Sequence, residues 1–149
     1  MTMGLFSKKT AAPQTDDRWE ALNAEYQNYR RRTTMEMDVI SEKSAMETVA
    51  AFLHLYDDLQ RALESPCSDP SFYKGVELIQ KSLMDTFASL GVKPMASKGK
   101  MFNPTYHEAV KQIKDPQYRP DEVVEVLRVG FTMHDEVIRH ARVVVANCE

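Results

Sequence analysis

Two pairs of adjacent residues carry the side chains best suited to catalysis or metal binding: His107 with Glu108, and His134 with Asp135. Imidazole and carboxylate groups serve as acid–base catalysts and as zinc ligands. On a helix, however, neighbouring residues point apart, and no third ligand stands at a metal-site spacing. A phosphate-binding glycine loop and a nucleophile elbow are also missing from the sequence. We therefore predict no catalytic residue, no metal and no cofactor, and interpret these residues as polar turns or caps. An enzyme using His107 and Glu108 is the alternative.

Arg30-Arg31-Arg32 is the only run of basic residues. On a helix these side chains fan around the axis, so they cannot form one flat patch. One interpretation is a solvated helix face. The other is that one or two of these arginines bind acidic groups on a partner protein, a task that suits the guanidinium fork. Nucleic-acid binding is not expected, because further basic residues do not align with aromatic ones.

Gly75 is unusual because it lies one turn into a predicted helix, where glycine costs roughly 1 kcal/mol relative to alanine. One explanation is close packing between helices of a bundle. The other is that the backbone of a partner protein approaches this position and a side chain would obstruct it.

The composition describes a protein without a strong charge bias. Its 149 residues carry a net charge of −3, which gives no general attraction to nucleic acid or acidic membranes. No apolar run of about 18 residues is present, so no membrane span is predicted, and Met1–Lys9 lacks the apolar region of a signal peptide. The two cysteines, Cys67 and Cys148, lie far apart without a CxxC motif. A reducing cytoplasm fits this usage.

The element that must position these residues is a stretch from Gln14 to Ser65 that contains neither glycine nor proline. Such a stretch tends to remain helical, with Asp16 or Asp17 as its N-cap. We predict that residues 1–15 form a disordered tail. A helix of this length measures on the order of 70 Å at about 1.5 Å per residue. The chain is too short to cover such a helix by itself.

The apolar residues of this helix form a narrow seam that suits a partner helix. The seam consists of two runs with 3-4 spacing: Trp19, Leu22, Tyr26, Tyr29 and Thr33, then Ala45, Val49, Phe52, Tyr56, Leu59 and Leu63. Between the runs, Leu22 to Thr33, Tyr26 to Met37 and Tyr29 to Ile40 step by eleven. That repeat does not sustain a left-handed supercoil. We predict two weakly coiling helices from two copies of the chain; the alternative is a helix folded onto its own domain.

A second helix is predicted to start at Asp69 as N-cap with Pro70 in the first helical position, and to end at Gly91. Its apolar face is Phe72, Val76, Ile79, Leu83, Phe87 and Leu90. The short loop forces it back onto the Val49–Leu63 seam. Since one hairpin buries only a strip, we predict that two hairpins from two chains form a four-helix bundle.

The predicted homodimer interface uses the seam of both helices. Its residues are Leu22, Tyr26, Tyr29, Val49, Phe52, Tyr56, Leu59, Leu63, Ile79 and Leu83.

After Gly91 the sequence changes to short β-branched segments separated by turn signals. The predicted strands are Val92–Ala96, Ala109–Ile113, Val123–Val129, Phe131–Met133, Val137–Ile138 and Arg142–Val145, with a turn at His134-Asp135. We predict a small antiparallel β-domain. The fold class is therefore α+β in segregated parts: a tail at 1–15, helices at 16–91 and a β-domain at 92–149.

Four groups of segments together resemble the GrpE family, the nucleotide exchange factors of DnaK-type heat-shock chaperones. The segments, which run in the family's order over about residues 20–146, are Tyr29-Arg30-Arg31-Arg32-Thr33; Asp57-Asp58-Leu59-Gln60-Arg61-Ala62-Leu63; Lys74-Gly75-Val76-Glu77-Leu78-Ile79 with Leu90-Gly91-Val92-Lys93-Pro94; and Phe102-Asn103-Pro104-Thr105-Tyr106-His107-Glu108-Ala109 with Val123-Val124-Glu125-Val126-Leu127, Gly130-Phe131 and Val137-Ile138-Arg139.

The resemblance implies a parallel homodimer with a paired-helix stalk, a four-helix bundle and two β-domains. It also implies a co-chaperone that binds the chaperone's ATPase domain and opens its nucleotide cleft, so that ADP leaves. No catalytic residue is needed for this activity. The chaperone-binding residues implied by the resemblance are Arg30, Arg31, Gly75, Asn103, Pro104, His107, Leu127 and Arg128.

The sequence departs from the family pattern at several positions. Tyr56 stands where the family usually has proline, Glu136 and His140 replace arginine and proline, and Val39 lies where a basic residue is common. These departures motivate a second hypothesis, a dimeric coiled-coil scaffold without exchange activity.

Overall fold

The computed structural model describes residues 14–147, with side chains from residue 17 onward. The first helix, α1, spans Gln14–Glu64 and has 51 residues. It ends just before Ser65-Pro66, as predicted from the stretch without glycine or proline. It begins two residues earlier than the predicted tail boundary, so Asp16 and Asp17 lie inside the helix and the prediction that one of them is the N-cap is wrong. The rest of the predicted tail, residues 1–13, lies outside the described part of the chain, as does Cys148.

The second helix, α2, spans Pro70–Ser89 and confirms the predicted caps. Asp69 Oδ1 accepts hydrogen bonds from the backbone N–H groups of Ser71 at 2.9 Å and Phe72 at 3.4 Å. Pro70 has no N–H to leave unpaired at the first helical position. Gly91 follows the C-cap with φ of 77°, a left-handed conformation that glycine adopts without steric cost. The helix boundaries are thus determined by local sequence.

Six short strands follow α2 and form two three-stranded sheets. The strands are β1 (Val92–Pro94), β2 (His107–Ile113), β3 (Glu122–Arg128), β4 (Phe131–Met133), β5 (Glu136–Arg139) and β6 (Ala141–Ala146). The first sheet has the order β1-β4-β5 and the second sheet has the order β2-β6-β3. The α+β fold class is therefore confirmed, with helices first and strands last.

One part of the β-domain prediction is wrong, because the second sheet is mixed rather than antiparallel. Strand β6 pairs with β3 antiparallel but with β2 in parallel, from His107↔Ala141 to Ile113↔Ala146. Parallel neighbours require a crossover of a dozen or more residues. Residues 114–140, which include the first sheet's β4 and β5, supply that crossover. The spacing of apolar residues within a strand does not encode the direction of its neighbour, so the sequence could not reveal this pairing.

The predicted turn at His134-Asp135 joins β4 to β5. Both residues have positive φ, 48° and 69°. Two consecutive left-handed residues define the type I′ turn, whose twist matches that of a two-residue hairpin. The hairpin register agrees, since Met133 pairs with Glu136. The polar turn interpretation is confirmed for this pair.

The buried apolar residues form two separate cores. The helix–sheet core joins both helices to the first sheet and contains Val49, Leu53, Phe87, Val92, Phe131 and Met133. The second core lies in the second sheet and contains Val123, Ala141, Val143 and Val145. Gly130 lies where the two sheets meet, because a Cβ there would stand 2.5 Å from the backbone nitrogen of Ala141.

The C-terminal part of α1 packs onto its own chain, which corrects the predicted seam. Val49 is 5% exposed and Leu53 is fully buried, so Val49 lies in the helix–sheet core and cannot contact a second copy as predicted. Tyr56 and Leu83 also pack against this core. The alternative of a helix folded onto its own domain is therefore correct for this part of α1. Phe52 and Leu55, which are 53% and 46% exposed, face away from the core.

The chain divides into two compact units, Met1–Glu42 and Lys43–Glu149. In the first unit the predicted interface residues Leu22, Tyr26 and Tyr29 are all more than half exposed. In the second unit Ile79 is also exposed, while Leu59 and Leu63 are partly buried. The apolar side chains of the first unit therefore lack cover from within the described chain. Within residues 14–147, neither helix combines the length and apolar character that crossing a lipid bilayer requires.

We predict that Leu53→Ala lowers the free energy of unfolding by about 2–5 kcal/mol, because it leaves a cavity in a closed core. Leu127→Ala removes the same atoms from a side chain that is 54% exposed, so its cost should stay below about 1 kcal/mol. Chemical denaturation at one fixed protein concentration measures both. Equal losses for the two variants would contradict this placement of the core.

Candidate binding surface

The carboxylate of Asp57 on α1 binds two arginines from the strands. Arg139 of β5 donates to it with two nitrogens, Nη1 to Oδ2 and Nη2 to Oδ1, each at 2.8 Å. Arg128 of β3 donates from Nε at 2.9 Å, and its Nη2 lies 2.8 Å from the same Oδ2. We call this cluster of Asp57, Arg128 and Arg139 the Asp57 node. It connects α1 to a strand of each sheet.

The charges of the node hold Asp57 in its ionised form. Partial burial acts to raise the pKa of the Asp57 carboxyl, but the hydrogen bonds and positive charges of Arg139 and Arg128 outweigh it and lower that pKa below its ordinary value. The side chains of Asp57 and Arg139 are only 19% and 15% exposed, whereas that of Arg128 is 33% exposed. Arg128 is therefore the member of the node that solvent or a partner can reach.

Arg139 reaches beyond the carboxylate to the backbone and to an aromatic ring. Its Nη2 and Nε donate to the carbonyl oxygen of Val129 at 2.7 and 3.2 Å. Its guanidinium lies 5.5 Å from the ring centre of Phe131, a distance that suits a cation–π contact. Tyr56, next to Asp57 on α1, meets the same ring edge-on at 5.1 Å. Arg139 is thus fixed from three sides.

A groove beside the node separates α1 from β3. Its volume is about 580 Å³, and its lining residues are His54, Tyr56, Asp57, Asp58, Gln60, Arg61, Glu64, Val126, Leu127, Arg128, Val129 and Arg142. Two predicted chaperone-binding residues, Leu127 and Arg128, therefore lie on the same groove. Leu127 is exposed, so its apolar side chain can contact another protein. Arg128 also approaches His54, with Nη2 3.4 Å from Nδ1.

The loop before β2 is built around Asn103, one of the predicted site residues. Its side-chain Oδ1 accepts from the N–H of Thr105 at 2.9 Å, and its carbonyl accepts from the N–H groups of Tyr106 and His107 at 3.0 and 2.8 Å. The backbone N–H of Asn103 in turn donates to His107 Nδ1 at 3.1 Å. Asn103 and Pro104 are exposed, which keeps them accessible to a partner.

His107 is a buried residue between exposed neighbours: only 8% of its surface is exposed. Direct contact with a partner, as predicted from the resemblance, does not agree with that burial; the imidazole instead holds the Asn103 loop from inside. Glu108 is exposed and pairs with Arg142 at 3.5 Å. The two residues occupy consecutive strand positions and point to opposite faces, so the dyad needed by the enzyme alternative is not formed. In residues 17–147, no group of three or more His, Cys, Asp or Glu side chains is placed to hold a metal ion.

Gly75 has open space around it in this chain. A Cβ built on it would meet nothing within 4 Å, apart from its own helix backbone. Close packing against another part of the described chain therefore does not explain the glycine. A second copy of the chain and a partner protein remain as explanations.

The predicted site residues Arg30 and Arg31 belong to the first unit, where both are exposed. Arg31 lines a shallow depression that also includes Glu25, Asn28, Tyr29, Arg32 and Met35. Arg32 pairs with Glu36 one turn later at 3.6 Å in a solvent-exposed pair. This arrangement agrees with a solvated helix face and keeps both predicted arginines accessible.

Sequence reasoning missed the Asp57 node, although two of its members lie in segments that carry the family resemblance. Asp57 is a charged residue directly beside the apolar seam residue Tyr56, and that position was a signal that its carboxylate is partly enclosed. Its partners lie 71 and 82 residues away in the chain. No local pattern could identify them.

The architecture defines the protein as a helical hairpin carrying a two-sheet β-unit, with the accessible residues of the candidate surface on a groove, a loop and a helix. A sequence model of the GrpE family matches residues 5–147. The chain therefore belongs to the GrpE family.

Individual relatives agree with this assignment. The chain is 40% identical over 131 residues to Protein GrpE of Clostridium acetobutylicum, covering 88% of the chain and 65% of the relative. It is 36% identical over 134 residues to Protein GrpE of Parageobacillus thermoglucosidasius, covering 88% and 60%. It is 37% identical over 130 residues to Protein GrpE of Chlorobaculum tepidum, covering 83% of the chain and 67% of the relative. The chain thus spans about three-fifths to two-thirds of the length of these curated relatives.

We predict that the protein loses stability as the pH falls below about 6.5, the ordinary pKa of histidine. Burial, and then the positive charge of Lys100, lower the pKa of His107 in the folded protein. Between the folded and unfolded values, the unfolded chain binds more protons, so acid favours unfolding. The variant His107→Gln should show a flatter dependence between pH 7.5 and 5.5 in denaturant titrations.

The matched control is His140→Gln, which makes the same change at an exposed histidine. An unchanged slope in His107→Gln would contradict the role assigned to the buried imidazole. The carboxylate of Asp57 does not confuse this test, because its pKa is lowered and it titrates in a more acidic range.

Proposed function

We propose that this protein is a nucleotide exchange factor that binds the ATPase domain of a DnaK-type chaperone and accelerates the release of ADP. Membership of the GrpE family over residues 5–147 is the observation that carries the proposal. The positions implied by the family resemblance support it, because Leu127, Gly75 and the Asn103-Pro104 turn are accessible in the structure. The cytoplasm is the compartment in which such a chaperone acts, and we propose it as the location of this protein.

The activity requires no chemical step by this chain. An exchange factor binds the open, nucleotide-free form of the chaperone more tightly than the closed form, and it can weaken ADP only by that difference in affinity. The candidate surface needs no acid–base groups to bind a partner. It offers an exposed apolar residue in Leu127, an exposed loop at Asn103-Pro104 and a position without a side chain at Gly75. We therefore propose a binding protein rather than an enzyme.

We further propose that two copies form a parallel homodimer through α1 and a four-helix bundle. The eleven-residue step noted in the sequence continues from Leu22 to Ala62, and the residues on it form what we call the outer stripe. These residues are Leu22, Tyr26, Tyr29, Thr33, Met37, Ile40, Ser44, Thr48, Ala51, Leu55, Leu59 and Ala62. None of them is buried within the chain. A repeat of this period does not sustain a left-handed supercoil and suits a partner helix that coils only weakly in the right-handed sense.

The bundle proposal draws on both helices. Phe52 of α1 and Phe72 and Ile79 of α2 are each more than half exposed. Other side chains of the two helices contact each other within the chain. One such contact is a hydrogen bond of 2.8 Å from Gln80 Nε2 to Gln60 Oε1. A second hairpin would remove the exposed aromatic and aliphatic surface from water at about 25 cal/mol per Å².

One departure from the family pattern, Tyr56, has a packing explanation in this chain. Tyr56 makes the edge-on contact with Phe131, so this helix position has a packing role that proline could not fill. Glu136 and His140 are exposed at the ends of β5 and in the link to β6. A scaffold without exchange activity is an outcome that the following experiment can return.

We predict that micromolar protein raises the rate of ADP release from a DnaK-type chaperone by about tenfold or more, as a coupling of ordinary size would produce. Stopped-flow release of labelled ADP, with and without the protein, measures the rate. Gly75→Asp should lower the acceleration and weaken binding, since a charged side chain would occupy the open approach to α2. Its mass in solution should not change.

The matched variant Gly75→Ala separates crowding from charge. It fits the open space and should stabilise α2 by roughly 1 kcal/mol, so any loss of exchange would report the closeness of the partner's backbone. Parent protein that leaves the ADP rate unchanged would favour the scaffold. Gly75→Asp protein that loses its oligomeric state would favour packing between copies instead.

We predict a mass of twice 17.1 kDa in sedimentation equilibrium, and a shift toward the single-chain mass in the variant Ile40→Glu. Ile40 lies on the outer stripe and is 67% exposed in the chain, so a buried charge there would oppose pairing. The control Val39→Glu makes the same change at the adjacent, 64% exposed residue off the stripe. Equal dissociation by both variants would contradict the proposed stripe.

A further inference from the structure

The two sheets of the β-unit are attached to the helices in different ways. The first sheet shares the helix–sheet core, in which Phe131 of β4 contacts Tyr56 and Phe87 at ring distances of 5.1 and 6.1 Å. The second sheet has its own core around Val143 and Val145. Apolar burial therefore fixes the first sheet directly on the hairpin. The second sheet is attached less directly, through Val129 after β3 and through the close approach of the two sheets at Gly130.

Arg128 of β3 makes polar side-chain contacts between the second sheet and α1. Its guanidinium binds the Asp57 carboxylate and approaches His54, both on α1. Its neighbour Leu127 is the exposed apolar residue of the candidate surface. A contact that holds Arg128 therefore also determines where Leu127 stands relative to the helices.

Arg139 makes this contact possible and reinforces it. Because Arg139 already binds both oxygens of Asp57, the carboxylate stays in a fixed orientation toward Arg128. The same guanidinium holds the carbonyl of Val129, the first residue after β3. The end of β3 is thus held by two contacts. Asp57 binds the side chain of its last residue, Arg128, and Arg139 binds the carbonyl of the next residue, Val129.

We propose that Asp57 is a positioning residue that locks the second sheet against the helical hairpin, so that Leu127 and Arg128 meet the chaperone at the angle needed to open its nucleotide cleft. This inference rests on the exchange function proposed above. Asp57 acts through Arg128 and Arg139 rather than by touching the partner, since its carboxylate is largely enclosed and bound by both arginines.

The lock has a specific consequence for exchange. A second sheet that can tilt still presents the same residues, so it binds the closed, ADP-bound chaperone about as well. It loses the extra affinity for the open form, because the tilted sheet no longer resists closure of the cleft. By linkage, the factor by which the protein weakens ADP binding falls by the same factor as that extra affinity. The maximal rate of ADP release falls in the same direction, because ADP is then held more tightly.

The experiment compares Asp57→Asn with Glu47→Gln in the full chain. Both changes neutralise a carboxylate on α1, but Glu47 is exposed and belongs to no part of the candidate surface. ADP release is measured over a concentration series, which separates the half-saturating concentration from the maximal rate. We expect Asp57→Asn to lower the maximal rate by about tenfold, with a half-saturating concentration within about twofold of the parent. Glu47→Gln should match the parent in both.

A second variant guards against a general loss of folding. Arg139→Lys keeps a cation beside Asp57 but loses the two-nitrogen grip, and it should lower the maximal rate in the same direction by a smaller factor. Circular dichroism and sedimentation establish that each variant is folded and has the parent mass. A folded Asp57→Asn protein with the parent's maximal rate would overturn the proposal, and so would one that changes only the half-saturating concentration.

The parent protein separates the two hypotheses. If the parent does not accelerate ADP release, the exchange function itself fails and Asp57 has nothing to position. If the parent accelerates release and Asp57→Asn does so equally, the exchange function stands and only the positioning role fails.

Discussion

Burial of one aromatic ring joins the helices of this protein to its strands. Phe131 is fully buried, and its ring meets Tyr56 of α1 and Phe87 of α2 at their edges. Edge-to-face aromatic contacts add to the gain from removing apolar surface from water. Because Phe131 begins the central strand of the first sheet, the hairpin and that sheet share a single core. The Asp57 node then adds directional bonds at the rim of an attachment that apolar burial has already made.

This core divides α1 into two faces with different tasks. The inner face, with Val49 and Leu53, is closed by the chain itself. The outer stripe has no buried residue and follows a repeat of eleven residues. A helix of this kind can hold its own β-unit and still present apolar side chains to a second helix. The family assignment and the exposure of the stripe therefore support the same proposed assembly.

Local chemistry determined what could be predicted from the sequence. The ends of α2 follow from Asp69, Pro70 and Gly91, each of which acts on its immediate neighbours, and the prediction of these ends is confirmed. The strands of the β-unit were located within a few residues, since β-branched runs between turn signals are also local features. The sequence did not identify which side of α1 faces the core. Val49 and Phe52 are both apolar, and only tertiary packing decides which of them is enclosed.

The candidate site was predictable to the same limited extent. Leu127 and the Asn103-Pro104 turn are accessible, in agreement with the resemblance, whereas the imidazole of His107 faces inward because the backbone of Asn103 uses its nitrogen. The residue type did not reveal that direction. The Asp57 node and the parallel pairing of β2 with β6 both depend on residues far apart in the chain, so no window of sequence contains them.

The position of β6 in the second sheet has a consequence for how the protein is made. This strand is the last of the six in chain order, yet it lies between β2 and β3 and supplies three consecutive buried valines, Val143, Val144 and Val145. During synthesis on the ribosome, β2 and β3 emerge with no partner to join them, and such long-range pairings form slowly. Until β6 has been synthesised, β2 and β3 thus expose unpaired strand edges, and such edges make an incomplete β-unit prone to aggregation.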